Sequence, residues 1–302
     1  MNRQISDIVG RPAVTDLNEF GRVERIALRH PRDAFVSDAK LDAEWNSLNY
    51  LARPDLSAAI DEYDELLRIL SELGTAIEFL PADDKLTLDA IYVRDATLLA
   101  ADGVVMCRMG KAARQHEPKV AAQVLAARGW RIAGAIAAPG LLEGGDVVWL
   151  DAKTIVVGEG YRTNAEGIRQ LQTILGDGVE VISVPLPHWQ GENDVFHLMS
   201  MFSPVDIDLA VVYSPLMPVP FRQLLLSRGM TLIEVPEAEF ATMACNVLAI
   251  APRRCVALAG NPLTIAEMQR HGIEVYAING HNISCPGSGG PTCLTRPICR
   301  GE

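Results

Sequence analysis

A thiol, an imidazole and two carboxylates stand at comparable places along this 302-residue chain: Cys293, His197, Asp95 and Glu143. The chemistry open to such a set is narrow. A thiolate is a nucleophile, a histidine passes protons near neutral pH, and two carboxylates hold a planar cation through paired hydrogen bonds. Together they fit attack of sulfur on the carbon of a guanidinium or amidinium, the carboxylates binding the cation and keeping its carbon electrophilic. The scheme needs no metal and no cofactor. Glycines flank two of the four, Gly144-Gly145 after Glu143 and Gly289-Gly290 before Cys293, where backbone can come close to a ligand. Each residue alone has an ordinary explanation. Asp95 fits a turn or a pair with Arg94, Glu143 a solvated loop acid, His197 a core histidine and Cys293 a packing thiol.

The other cysteines narrow the choice of nucleophile. The chain has six: Cys107, Cys245, Cys255, Cys285, Cys293 and Cys299. None forms a C-x2-C pair, which argues against structural zinc. Without a secretory signal, their even number is weak support for disulfides. Cys107 and Cys255 lie in apolar runs (VVMCRM, RRCVALAG) and read as buried packing thiols. Cys285, Cys293 and Cys299 fall in the last eighteen residues, a Gly/Pro-rich tail where packing explains less.

What must position the four is a repeat. Its unit is a strand, a turn, a second strand, an amphipathic helix and a closing strand. The clearest copy starts at Asp146: DVVWL, DAK, TIVVG, then NAEGIRQLQTILGDG with Ile168, Leu171, Ile174 and Leu175 on one face, then VEVISV. TLLAADGVVMCRM, turning at Asp102-Gly103, leads to PKVAAQVLAARG and WRIAGAI. DLAVVY leads to PVPFRQLLLSRG and MTLIEV, and NVLAIAPRRCVALAG to PLTIAEMQRHG and IEVYAI. A weaker first copy has VERIALRH, LSAAIDEYDELLRILSELG and TAIEFL. Every helical segment runs into a glycine before its closing strand, a helix C-cap signal recurring in register.

A doubly wound sheet would alternate single strands with helices. Strand pairs in five units predict instead an α/β fold closed into a five-bladed pseudo-symmetric α/β propeller of ββαβ units. The four reactive residues sit at the junctions. Tyr92-Val-Arg-Asp95 precedes TLLAA, and Leu142-Glu-Gly-Gly-Asp146 precedes VVWL. A longer loop, Glu192-Asn-Asp-Val-Phe-His197, precedes DLAVVY, and Asn246 opens NVLAI. Gly289-Gly-Pro-Thr-Cys293 follows the last unit. Ring symmetry brings such points to one end of the axis.

Length allows one or two domains. With no linker or low-complexity segment, the reading is a single domain over residues 1–302, about the first 20 of them an extension. Hydrophobic residues at 49% and charged at 22% are globular proportions. The net charge of -11, from 27 Lys+Arg against 38 Asp+Glu, argues against nucleic acid or an anionic membrane as partner and suits a cationic small molecule. No apolar run approaches the ~20 residues of a membrane helix. The most apolar stretch, Leu209 to Phe221, is broken by Pro215, Pro218 and Pro220, and the N-terminus has no hydrophobic signal core. A cytoplasmic location is expected.

These motifs carry a resemblance. Tyr92-Val-Arg-Asp95, Leu142-Glu-Gly-Gly-Asp146, Tyr161-Arg-Thr-Asn-Ala-Glu-Gly167, His197 and Gly289-Gly-Pro-Thr-Cys293-Leu-Thr-Arg-Pro297 resemble the guanidino-group-modifying superfamily: arginine deiminases, amidinotransferases and dimethylarginine dimethylaminohydrolases. The resemblance covers the chain from about residue 20 to the end. It implies a five-bladed propeller, a homodimer and no cofactor. It implies that Cys293 attacks the guanidinium carbon, that His197 protonates the departing amine and then activates water, and that Asp95 and Glu143 bind the guanidinium nitrogens. By the same resemblance Asp89 takes the substrate α-amino group, and Arg114 and Arg162 take its carboxylate.

Two positions depart from the family's patterns. Deiminases and amidinotransferases place an acid two residues after the histidine, where this chain has Met199; dimethylaminohydrolases lack that acid. Dimethylaminohydrolases place an acid before the aspartate, where this chain has Arg94, as deiminases do. The leading expectation is a metal-free hydrolase of a guanidino amino acid, Nω-methylated arginine included, giving citrulline and an amine. Amidino transfer, arginine deiminase-type activity and a non-catalytic binding scaffold are the alternatives. Cys285 and Cys299 are the less certain bystanders.

Overall fold

The computed structural model describes residues 17–192 and 196–301. The expected N-terminal extension therefore falls largely outside the described residues, as do residues 193–195 ahead of His197.

The repeat builds as read, one three-stranded sheet per unit. β1 (Arg22–Leu28) runs parallel to β2 (Ala76–Phe79) across the helix Leu56–Glu72. β3 (Thr97–Ala100) and β4 (Gly103–Met106) form a hairpin, and β5 (Ile132–Ala135) lies parallel to β4 after the helix Glu117–Ala127. The same plan gives β6 (Val147–Asp151), β7 (Thr154–Glu159) and β8 (Glu180–Pro185) around the helix Ala165–Leu175. β9 (Phe202–Asp206), β10 (Leu209–Val212) and β11 (Thr231–Glu234) surround Val219–Ser227. β12 (Leu248–Ala251), β13 (Arg254–Leu258) and β14 (Glu274–Ile278) surround Pro262–Arg270. β15 (Thr295–Gly301) then pairs antiparallel with β1, so the C-terminal strand completes the sheet that the N-terminal strand begins. The described residues thus form five sheets closed into an α/β propeller.

Two strands escaped the pattern. The first copy looked weak because its inner strand, β15, comes from the other end of the chain. β9 lacks an unbroken β-rich run, since Pro204 interrupts it. Proline lacks a ladder donor and is confined to edges, and β9 is the edge of its sheet.

Packing follows the register. β6, β7 and β10 bury nearly every successive residue, because each is covered on both faces, and such strands read as unbroken apolar runs. The third strands β2, β5 and β11 are much more exposed. The helix Ala165–Leu175 is capped by Asn164, whose side chain accepts from the Gly167 amide at 2.9 Å. It buries Ile168 and Leu171, with Ile174 and Leu175 packed partly buried beside them. Each of the five helices is followed by a glycine at positive φ: Gly74, Gly129, Gly176, Gly229 and Gly272.

Gly167 seats this helix against the loop between β5 and β6 that carries Glu143. A Cβ there would fall on the Leu141 backbone, 2.7 Å from its carbonyl carbon. Gly167→Ala is expected to lower stability by about 1–3 kcal/mol, the cost of overpacking, read as a shift of the urea midpoint. An unchanged midpoint would show that the contact yields freely.

Candidate active site

Each blade donates one side chain at the turn before its inner strand. Asp95 lies in the 3-10 turn Val93–Ala96 before β3. Glu143 caps the turn Gly144–Asp146 before β6, and His197 caps the turn Leu198–Ser200 before β9. Asn246 precedes β12, and Cys293 precedes β15. The four reactive residues expected to converge do so, and Asn246 makes the fifth member of the ring.

The contacts are close. His197 is 4% exposed; its Nε2 is 2.8 Å from Glu143 Oε2 and its Nδ1 4.0 Å from Asp95 Oδ1. Glu143 is fully buried and also accepts from the Gly110 amide at 2.8 Å. Asp95 Oδ1 accepts from the Gly145 amide at 2.9 Å. Asn246 Nδ2 donates to Cys293 Sγ at 3.1 Å, while its Oδ1 accepts from the Thr292 amide at 3.0 Å, fixing both ends of the amide. The glycines leave room for the chain's own site groups. A Cβ on Gly145 would stand 2.7 Å from both Asp95 Oδ1 and His197 Nδ1, and one on Gly290 2.6 Å from Asn246 Oδ1.

Charge sets the protonation. Burial alone would deprotonate His197, but Asp146, Asp95 and Glu143 outweigh it and raise its pKa to about 9. Burial, then the negative charge of Asp95, pushes the Cys293 thiol up to about 11, against the hydrogen bonds from Asn246 and the Gly290 amide. Burial opposes ionisation of Glu143 too, yet His197 and Arg162 hold it well below the usual carboxylate range. At neutral pH the site therefore holds an imidazolium and a thiol.

Arg114 and Arg162, expected at the carboxylate end of a substrate, are turned onto the acids. Arg114 Nη1 reaches Asp95 Oδ2 at 2.6 Å, and its Nε and Nη2 grip Glu117 at 2.9 and 2.8 Å. Arg162 Nη1 lies 2.9 Å from Glu143 Oε2 and 3.1 Å from Oε1. Asp89 is buried and faces Lys111 Nζ at 2.7 Å. Arg94 points away from the site and pairs with Glu19 at 2.6 Å, burying both, so this departure belongs to the core of the ring. Met199 is buried beside His197.

Sequence reasoning passed over three contributors. Asn246 had a signal, its place at a junction. Asp146 closes the Glu-Gly-Gly-Asp motif, and its Oδ1 accepts from the Leu198 amide at 3.0 Å while Oδ2 takes the Thr163 hydroxyl at 2.6 Å, anchoring the turn behind His197. Lys111 had no signal at all.

Cys293, His197 and Asn246 open on a cavity of about 450 Å³ whose walls include Leu48, Trp189 and Phe240. Asp95, Glu143 and His197 also bring ligand atoms within 4.8 Å of one another, the spacing a metal ion would need. Their oxygens already bond Arg114, Arg162, the Gly145 amide and the imidazole, contacts that hold both acids in place at the site. All six cysteines are free; Cys107, Cys245 and Cys255 are buried, as their apolar surroundings indicated for Cys107 and Cys255. No described helix is long and apolar enough to cross a membrane.

The chain is similar to known proteins in sequence and in fold. The family described as N,N dimethylarginine dimethylhydrolase, eukaryotic, matches residues 37–300. The N(G),N(G)-dimethylarginine dimethylaminohydrolase of Pseudomonas aeruginosa is 26% identical over 232 residues, 76% of this chain and 85% of that one. The solved structure of dimethylarginine dimethylaminohydrolase from Pseudomonas aeruginosa with citrulline superposes with a TM-score of 0.74 at 23% identity, over 93% of this chain and all of that one. An amidinotransferase from Microseira wollei shares the fold at a TM-score of 0.76 and 15% identity, over 96% of this chain and 98% of that one.

Proposed function

Because the chain belongs to the N,N-dimethylarginine dimethylhydrolase family, eukaryotic type, and is a hydrolase acting on C–N bonds of amidines, we propose that it cleaves the guanidinium of an arginine-like small molecule through a covalent bond to Cys293, in the manner of a dimethylarginine dimethylaminohydrolase. The observation that carries this reading is one cavity lined by both Cys293 and His197, with Glu143 bonded to the imidazole at 2.8 Å and Asp95 beside it.

The guanidinium settles over Asp95 and Glu143, its positive charge matched to theirs. The same charge favours the thiolate, so binding lowers the thiol's pKa, against the effect of burial and Asp95. Sulfur forms a bond to the guanidinium carbon, and the C–N bond breaks as His197 passes its proton to the departing amine. Neutral His197 then takes a proton from water, whose oxygen attacks the same carbon. The C–S bond breaks, the thiolate is regenerated and a ureido product leaves. From an Nω-methylated arginine the products are citrulline and an alkylamine. Asn246 holds the sulfur, and Arg114 holds Asp95 against the Gly145 amide.

The test is turnover in 18O-labelled water of arginine and its Nω-methylated forms, with no added amine. One labelled oxygen in each ureido product, and one amine or ammonia released per product, is expected. Product that forms only when a second amine is supplied would assign amidino transfer instead.

A further inference from the structure

We propose that Lys111 is a specificity-determining residue, tuning the cavity for a guanidino acid whose distal end is a carboxylate without an α-ammonium. The proposal rests on the reading of Cys293 as the thiol that attacks a guanidinium.

Lys111 lines the same cavity as Cys293 and His197, and besides His197 it is, among the described residues, the one cationic side chain on that lining. The residue is fixed relative to the reaction centre, since its amide lies 3.3 Å from Glu143 Oε1. Its ammonium is fixed as well: Nζ stands 2.7 Å from Asp89 Oδ2 and donates to Leu48 O at 2.8 Å. Asp89, the acid that a substrate ammonium would seek, is 4% exposed and already has an internal ammonium. The other nearby cations are not available to a ligand, because Arg114 is engaged with Asp95 and Glu117, and Arg162 with Glu143.

The consequences for a ligand's far end differ by charge. An ammonium placed there either displaces Lys111 from Asp89, stranding a charge at a largely buried site, or lies unpaired beside a like charge. A carboxylate meets Lys111 directly. The ammonium has three donors; one goes to Leu48 O, Asp89 Oδ2 is held as an ion pair at 2.7 Å, and a donor is left for a ligand. Lys111 then bridges two carboxylates without giving up either existing contact.

Three matched compounds separate the possibilities: arginine, 5-guanidinopentanoate, which lacks only the α-amino group, and agmatine, which lacks only the carboxylate. Each is assayed with and without Nω-methyl groups on wild type, Lys111→Met and Lys111→Arg. Wild type is expected to favour 5-guanidinopentanoate over both others by about tenfold or more in kcat/KM. Lys111→Met should lose about tenfold on that compound and gain on arginine, whose ammonium can then reach Asp89, while Lys111→Arg restores the wild-type order. A wild type that prefers arginine, or a Lys111→Met loss equal for all three compounds, overturns the proposal while leaving the guanidinium chemistry standing. Failure of wild type to turn over any of them overturns the underlying reading, and the proposal with it.

Discussion

Cys293→Ser is expected to cut turnover by at least about 10³-fold, because a hydroxyl is far weaker as nucleophile and nothing else in the cavity replaces the sulfur. The ring should survive the change. Serine is smaller, the site is only partly buried, and Asn246 can donate to an oxygen as it does to the sulfur. Two measurements separate loss of chemistry from loss of structure. The urea midpoint should stay near wild type, and intact mass of acid-quenched wild type during turnover should show a substrate-derived adduct absent from the variant. Undiminished turnover would remove Cys293 from the mechanism. So would a thiol reagent that inactivates the protein by labelling Cys285 or Cys299 first.

The second large effect concerns His197. His197→Asn removes the only imidazole on the cavity lining and should cost about 10²–10⁴-fold, the usual worth of a positioned general acid and base. The pH profile carries the sign. In the free protein the imidazole pKa is raised to about 9 and the thiol's to about 11. The reactive form is thiolate with imidazolium, one proton fewer than the form present at pH 7. Wild-type kcat/KM should therefore rise with pH through about 9 and fall again beyond about 11, these limbs belonging to the Cys293–His197 pair as a unit. The limb in kcat should lie at lower pH, because a bound guanidinium favours the thiolate. In His197→Asn the descending limb should vanish. A wild-type kcat/KM that is flat from pH 7 to 10, or whose rise lies wholly below pH 7, would show that these groups do not set the rate.

The sequence alone determined the plan of the molecule. Strand pairs, helix faces and terminal glycines are local signals, each legible within a dozen or so residues, and the repeat in their order implied five blades. It also determined which junctions bear reactive groups, because blades of one kind place their inner-strand turns at one end. Asp95, Glu143, His197 and Cys293 could be named from that alone, and Asp146 and Asn246 stood in view without a role.

Only the tertiary structure decided the pairings. β15 joins β1 across most of the chain, Arg94 finds Glu19, Arg114 and Arg162 turn onto the two acids, and Lys111 meets Asp89. None of these has a spacing to read. A side chain's partner depends on where its rotamer projects once several turns, distant in sequence, have been packed together. A buried charge must then take whichever opposite charge that packing brings within reach.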